Sequence, residues 1–230
     1  MALVLQRGIP KAYGAFGATR NHAFVMALAI SLATPALAAP IKLIAFGDSL
    51  TQGYGLPDGE GLVPQLQAWL RAHGTDVTIE NAGVSGDTSA GGRSRIDWTL
   101  GGGGDAIMVE LGGNDLLRGI DPANTRANLD AILQAVAAKG LPIMLIGLAA
   151  PANYGTDYQS QFDAIYPALA AQYHADLVPN YFAPLLSAED KTAAIKDYMQ
   201  PDGLHPNAEG VKRIVASLGP QVQLLVARVK

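Results

Sequence analysis

The sequence predicts an α/β fold: one domain built on a small, doubly wound parallel sheet. Apolar runs rich in β-formers alternate with longer amphipathic stretches, the order expected of repeated βα units. Across 230 residues, 49% are hydrophobic and 16% charged, which suits one globular domain with a substantial core. Polar, Gly-rich text follows the apolar runs, as it does in the loops where parallel strands end.

In chain order, strands are expected at 41–46 (IKLIAF), 77–81 (VTIEN), 105–111 (DAIMVEL), 142–148 (PIMLIGL) and 175–179. Helices are expected near 61–73, 87–99, 122–139, 157–173 and 207–228. The last carries an apolar stripe of Val211, Ile214, Val215, Leu218, Val222 and Leu225, which Gly219-Pro220 should kink or split. Trp69 and Trp98 are expected to pack in the core, and His73 and His174 to face solvent. The run Gly101–Gly104 precedes a strand and lacks a following Lys-Ser/Thr, so it reads as a turn and not a phosphate loop. No internal repeat or interdomain linker is visible, and 39–230 reads as one domain.

Residues 1–38 have the layout of a signal peptide. Arg7, Lys11 and Arg20 stand without an acid, an Ala-rich apolar run starts at Ala23, and Ala36-Leu37-Ala38 offers a small-residue cleavage site. The expected location is therefore the periplasm or the exterior of a bacterium, with no stable membrane anchor after cleavage. The basic region is long for a secretory signal, so an uncleaved anchor and a misassigned start codon are the alternatives. Without its leader the chain keeps 13 Lys and Arg against 20 Asp and Glu, a net charge of −7 that argues against nucleic acid or anionic membranes as partners. The absence of Cys excludes disulfides, thiolate metal sites, a Cys nucleophile and a lipid-modified N-terminus.

In an open α/β sheet, ligands bind beyond the carboxyl ends of the strands. The text at those ends is GDSLT after the first strand, NAGVSGDT after the second and GGND after the third, with DGLHPN before the last helix. One edge therefore gathers Ser49, Gly83, Asn114, Asp202 and His205. Acyl transfer uses these types: a Ser hydroxyl, an imidazole to take its proton, a carboxylate to orient the imidazole, and N–H groups for an oxyanion. Each residue also has a plainer reading. Ser49-x-x-Gln52 fits a capping box, Asp202 and His205 fit a turn leading into a helix, and Asn114 with Asp115 fits an Asx-type turn. The Gly-rich text after Gln52 leaves little helix for Ser49 to cap. Asp48 and Asp115 read as structural. The three His outside the leader form no HExxH pattern, which argues against a zinc hydrolase.

Taken together, the four blocks resemble those of the SGNH, or GDSL, hydrolases. FGDSLTQGYGL, VELGGNDLLRG and HPNAEG are most similar to the small bacterial arylesterase, acyl-CoA thioesterase and lysophospholipase subgroup. The resemblance implies a flavodoxin-like three-layer α/β/α sandwich with a five-stranded parallel sheet. It implies Ser49 as nucleophile, His205 as base, Asp202 as its orienter, and an oxyanion hole made by the Ser49 and Gly83 N–H groups and the Asn114 amide. It further implies no metal and no organic cofactor.

The implied substrate is a small-molecule ester or lipid: an aryl, short-acyl or lysophospholipid ester, with thioesters a further option. The alternative is a carbohydrate O-acetyl esterase, or an idle member that binds an acylated glycan. By similarity, Leu116, Leu117, Pro151 and Tyr154 are the candidates for contact with the acyl chain. An imidazole base works only when unprotonated, so the rate is expected to rise through neutral pH.

Overall fold

All five expected strands form: β1 (Ile41–Gly47), β2 (Val77–Gly83), β3 (Ala106–Glu110), β4 (Ile143–Ile146) and β5 (Asp176–Val178). The computed structural model describes residues 40–186 and 196–229, so the leader assigned to residues 1–38 lies outside the described residues. Every pairing is parallel, in the order β2-β1-β3-β4-β5. This is the flavodoxin-like order. β3 and β4 are buried along their whole length, as strands covered by helices on both faces must be, whereas edge strand β2 alternates buried with exposed at its start.

The chain leaves β1 outward to β2 and then crosses back to β3 on the other side of β1. That reversal opens a crevice at the carboxyl ends of β1 and β3, the place where such sheets bind ligands. Register sharpens it, because Gly47 pairs with both Gly83 and Glu110. The three strands therefore end in one row, and the segments leaving them start from the same edge.

The helices are α1 (Ser49–Gln52), α2 (Leu62–Ala72), α3 (Ser89–Gly101), α4 (Gly113–Leu117), α5 (Pro122–Ala138), α6 (Thr156–Asp163), α7 (Ile165–Tyr173), α8 (Ala183–Leu186) and α9 (Ala208–Val226). α2 packs with α9, and α5 with α3 and α7, giving the two outer layers. Side chains start the longer ones: Thr88 caps α3, Asp121 caps α5 with Pro122 at its first position, and Asn207 caps α9 through the Gly210 N–H.

Three expectations are corrected. The helix expected over 157–173 is two, α6 and α7, meeting at Ala164. Pro167 is the cause: it has no N–H to give, and its ring crowds the carbonyl of Asp163. α9, by contrast, runs unbroken through Pro220. An internal Pro costs about 3 kcal/mol, while burying each Val, Leu or Ile of the six-residue stripe contributes about 1.5–3 kcal/mol, so packing wins. Gly219 serves that packing, since a Cβ there would collide with the Trp69 ring of α2. Finally, Trp98 is not in the core but 83% exposed. α3 buries Gly92, Ile96, Thr99 and Leu100, and a position two after Ile96 points away from that face. Trp69 does pack against the core, and both His73 and His174 face solvent.

Candidate active site

Ser49 is the first residue of α1, directly beyond β1. The helix is capped by Asp48, whose Oδ1 accepts the Leu50 N–H at 3.0 Å. The capping reading of Ser49 thus fails, and its hydroxyl is committed elsewhere: Oγ lies 2.8 Å from His205 Nε2. Gln52, the other half of the supposed box, accepts from the Ser85 hydroxyl. At the head of a helix the first N–H groups have no intrahelical acceptor, which leaves the Ser49 N–H at the cleft edge as a donor for a ligand.

Asp202 and His205 share one short turn. His205 Nδ1 stands 2.7 Å from Asp202 Oδ2, while Asp202 Oδ1 accepts the N–H groups of Leu204 at 2.9 Å and His205 at 3.1 Å. Partial desolvation works to raise the Asp202 pKa, but the bonds from His205 and the two backbone donors outweigh it and lower the value to about 2. An ionised carboxylate on Nδ1 fixes the tautomer whose Nε2 accepts, the form able to take a proton from Ser49. The turn is fastened to the β1 side by Gln200, whose Nε2 donates to Tyr54 O at 2.8 Å and Pro206 O at 3.0 Å. The Tyr54 and His205 ring centres lie 4.9 Å apart.

Asn114 sits in the first turn of α4, beyond β3. Its Nδ2 donates to Asp48 Oδ2 at 3.2 Å, and its neighbour Asp115 is buried beneath it, accepting from the Ser89 N–H and from the Ser89 and Thr125 hydroxyls. Gly83 ends β2, and its N–H donates to Asn81 Oδ1 at 3.0 Å. The Asn side chain reaches the N–H two residues on, as Asn does in turns, and engages the donor expected to face an oxyanion. Gly83 instead lets β2 press on α1: a Cβ there would lie 2.9 Å from Asp48 O and closer still to Gln52 N.

Beside Ser49 and His205 opens a cavity of about 280 Å³. Leu116, Leu117, Pro151 and Tyr154 all stand on its wall, with Leu148, Phe182 and Leu204. The Tyr154 hydroxyl donates to Leu116 O at 2.6 Å, which ties the two lining segments together. Among the described residues, no group of His, Asp and Glu is arranged to hold a metal ion.

Residues 45–213 match the model of the GDSL-like Lipase/Acylhydrolase family. The chain belongs to the GDSL-like acylhydrolases. It is 37% identical to Esterase TesA of Pseudomonas aeruginosa, over 86% of this chain and 96% of that one. It is 34% identical to an arylesterase of Vibrio mimicus, over 73% and 81%. Identity is 35% to Thioesterase 1/protease 1/lysophospholipase L1 of Escherichia coli, over 86% and 91%. Among solved structures, AlinE4, an SGNH-hydrolase family esterase, superposes with a TM-score of 0.66 at 42% identity, over 82% of this chain and 98% of that one. This GDSL-like acylhydrolase is an ester hydrolase.

Sequence reasoning missed two features of the candidate site. Glu110, at the end of β3, is fully buried against Asp48 and accepts the Thr51 hydroxyl at 3.0 Å. Its signal was present: one acid closing the strand AIMVE, otherwise apolar and buried on both faces. Arg95 of α3 donates to Gly47 O and Ala82 O, both at 2.8 Å, and pairs with Asp87, gripping the ends of β1 and β2 together. Nothing local in the sequence distinguishes it from any other helix Arg.

Proposed function

We propose that this protein is an exported serine esterase that cleaves small aryl, short-acyl or lysophospholipid esters, and thioesters, through Ser49, His205 and Asp202. The observation that carries the reading is the continuous line Ser49 Oγ, His205 Nε2, His205 Nδ1, Asp202 Oδ2, with links of 2.8 and 2.7 Å. Ser49 Oγ attacks the carbonyl carbon as His205 Nε2 takes its proton, and Asp202 stabilises the imidazolium. The carbonyl oxygen becomes an oxyanion held by the Ser49 N–H and the Asn114 amide, each such donor being worth about 3–4 kcal/mol. Collapse breaks the bond to the leaving group, which receives the proton from His205. Water, deprotonated in turn by His205, then releases the acid and restores Ser49.

The cavity supports the substrate class. It is small and apolar, and its surroundings expose Leu117, Tyr54, Leu204 and Tyr154, which suits an acyl or aryl group better than a sugar. The names of the relatives span ester and thioester chemistry. Cleavage after Ala38, and release into the periplasm or outside the cell, is part of the proposal; its support is the sequence of residues 1–38. Among the described residues, no helix is long and apolar enough to cross a membrane.

The test is hydrolysis of p-nitrophenyl acetate and butyrate by the mature chain and by Ser49→Ala. The variant is expected to lose nearly all of the rate; equal, slow hydrolysis by both would defeat the reading. A chain-length series, run beside lysophosphatidylcholine and acetylated xylan, then ranks the substrates.

A further inference from the structure

We infer that Asp48 is a positioning residue for ester cleavage: as a carboxylate hydrogen-bonded by a protonated Glu110, it keeps the amino side of the Asn114 amide available to the oxyanion. The inference rests on the esterase reading above. It begins with the donors. Both Asp48 oxygens already accept N–H groups, Oδ1 from Leu50 at 3.0 Å and Oδ2 from Asn114 at 3.2 Å, and Asp48 borders the catalytic cleft. Glu110 lies behind it, fully buried, with the Thr51 hydroxyl on Oε2 and no donor among the described residues for Oε1.

Two buried carboxyl groups whose charges act on each other cannot both be ionised without a large repulsion, so the pair holds one proton. Asp48, which borders the cleft and accepts two N–H groups, keeps the charge, and Glu110, with one oxygen lacking a donor among the described residues, takes the proton and donates it to Asp48. Burial and then the Asp48 charge both push the Glu110 carboxyl well above the ordinary range, in the same direction. Burial raises Asp48 as well, and outweighs the Leu50 N–H, the Glu110 and Asn114 side chains and the charge of His205, which lower it, so its carboxyl stays above the ordinary range but is raised less than that of Glu110. Tyr166 and Tyr181 also face this centre as neutral phenols, their pKa values raised chiefly by burial.

The consequence falls on Asn114. A carboxylate accepts hydrogen bonds and donates none, so only the amide nitrogen can face Asp48. That nitrogen has a second N–H, and the cleft is where it is used. In Asp48→Asn, the new side chain would keep its oxygen on the Leu50 N–H and turn its own amide nitrogen toward Asn114. Asn114 would then rotate to accept, leaving its oxygen where the oxyanion forms.

The experiment compares purified variants with p-nitrophenyl butyrate, in a protein whose rate has first been shown to vanish in Ser49→Ala, so that failure of the esterase reading is seen separately. Asp48→Asn should lower kcat by about 10²–10³-fold, the loss typical of one oxyanion donor, with KM within about threefold. Asp48→Asn combined with Asn114→Ala should be no slower than Asn114→Ala alone, since the same donor is lost in both. Glu110→Gln, whose amide can donate to Asp48 as the protonated acid does, should retain more than a tenth of kcat. The inference is overturned if Asp48→Asn keeps kcat within threefold, if the two losses multiply, or if Glu110→Gln is the more damaging change, which would put the proton on Asp48. Should Asp48→Asn not fold, infrared spectroscopy decides on the other proteins. A protonated-carboxyl band at pH 7 that disappears in Glu110→Gln supports the inference, and a wild-type spectrum without such a band overturns it.

Discussion

The two arms of the proposed site, a nucleophile arm around Ser49 and a base arm around His205, are built by different means. The nucleophile arm is nonlocal: sheet register brings Gly47, Gly83 and Glu110 into one row, and Asp48, Ser49 and Asn114 project from it over a buried floor. The base arm is local. Asp202 and His205 lie three residues apart in one turn, with their side chains 36% and 17% exposed, and Gln200 fastens that turn to the rest. The contrast teaches that changes in the base arm should remove activity and spare the fold, whereas changes in the nucleophile arm should cost both.

The largest expected effect tests the base arm. Asp202→Asn should lower kcat on the order of 10³-fold or more, because an amide can leave His205 in the wrong tautomer and does not stabilise the imidazolium. Its melting temperature should fall by at most about 3 °C, the ceiling for an exposed pair worth at most about 1 kcal/mol in a domain of this size. Steady-state kinetics beside a thermal melt checks both halves. A variant that loses several times that in stability would show that the turn is structurally coupled to the core and would break the contrast.

Gly83→Ala tests the other arm, with a smaller effect spread over two readouts. Its Cβ would press on Gln52 N and Asp48 O, backbone atoms of the nucleophile turn that have no side-chain freedom to yield. Overpacking of this kind costs about 1–3 kcal/mol, and the shift of α1 carries Ser49 with it. We expect a lower unfolding midpoint in urea together with a reduced kcat. Loss of activity at unchanged stability would mean that Gly83 acts through its N–H instead, which would require that donor to leave Asn81.

The same division explains what the sequence disclosed. The contact between Asp202 and His205 was legible, because three-residue spacing inside one turn is a local fact. So were the strands, whose apolar runs need no partner to be seen, and the cleft wall at Leu116, Leu117, Pro151 and Tyr154, which is dictated by strand ends alone. Less was visible wherever two distant segments meet. Glu110 reads as one acid in a strand until β1 lays Asp48 beside it, and Arg95 reads as a surface helix residue until the ends of β1 and β2 come within its reach. Gly219-Pro220 reads as a helix break until Trp69 is found against the glycine. Gly83 shows the converse: the motif identified the residue, but its donor's partner, Asn81, was decided by backbone conformation.

The smallest effect sharpens the contrast by isolating the charge of the base arm. Asp202 titrates near 2 in the folded protein, against 3.8 for an ordinary Asp. Folding therefore favours its ionised form, and by linkage the resulting stabilisation is complete above about pH 4 and vanishes as the pH falls toward 2. The amide introduced by Asp202→Asn has no proton to exchange, so the gap in melting temperature between wild type and this variant should be widest above pH 4 and close by about pH 2. Other carboxylates titrate in the same window, but they do so in both proteins and cancel from the difference. Because the carboxylate is partly exposed, the gap should also narrow in high salt. A difference that stays constant from pH 5 to pH 2 would show that Asp202 holds the turn by its shape and neutral hydrogen bonds, and that its charge matters to the imidazolium alone.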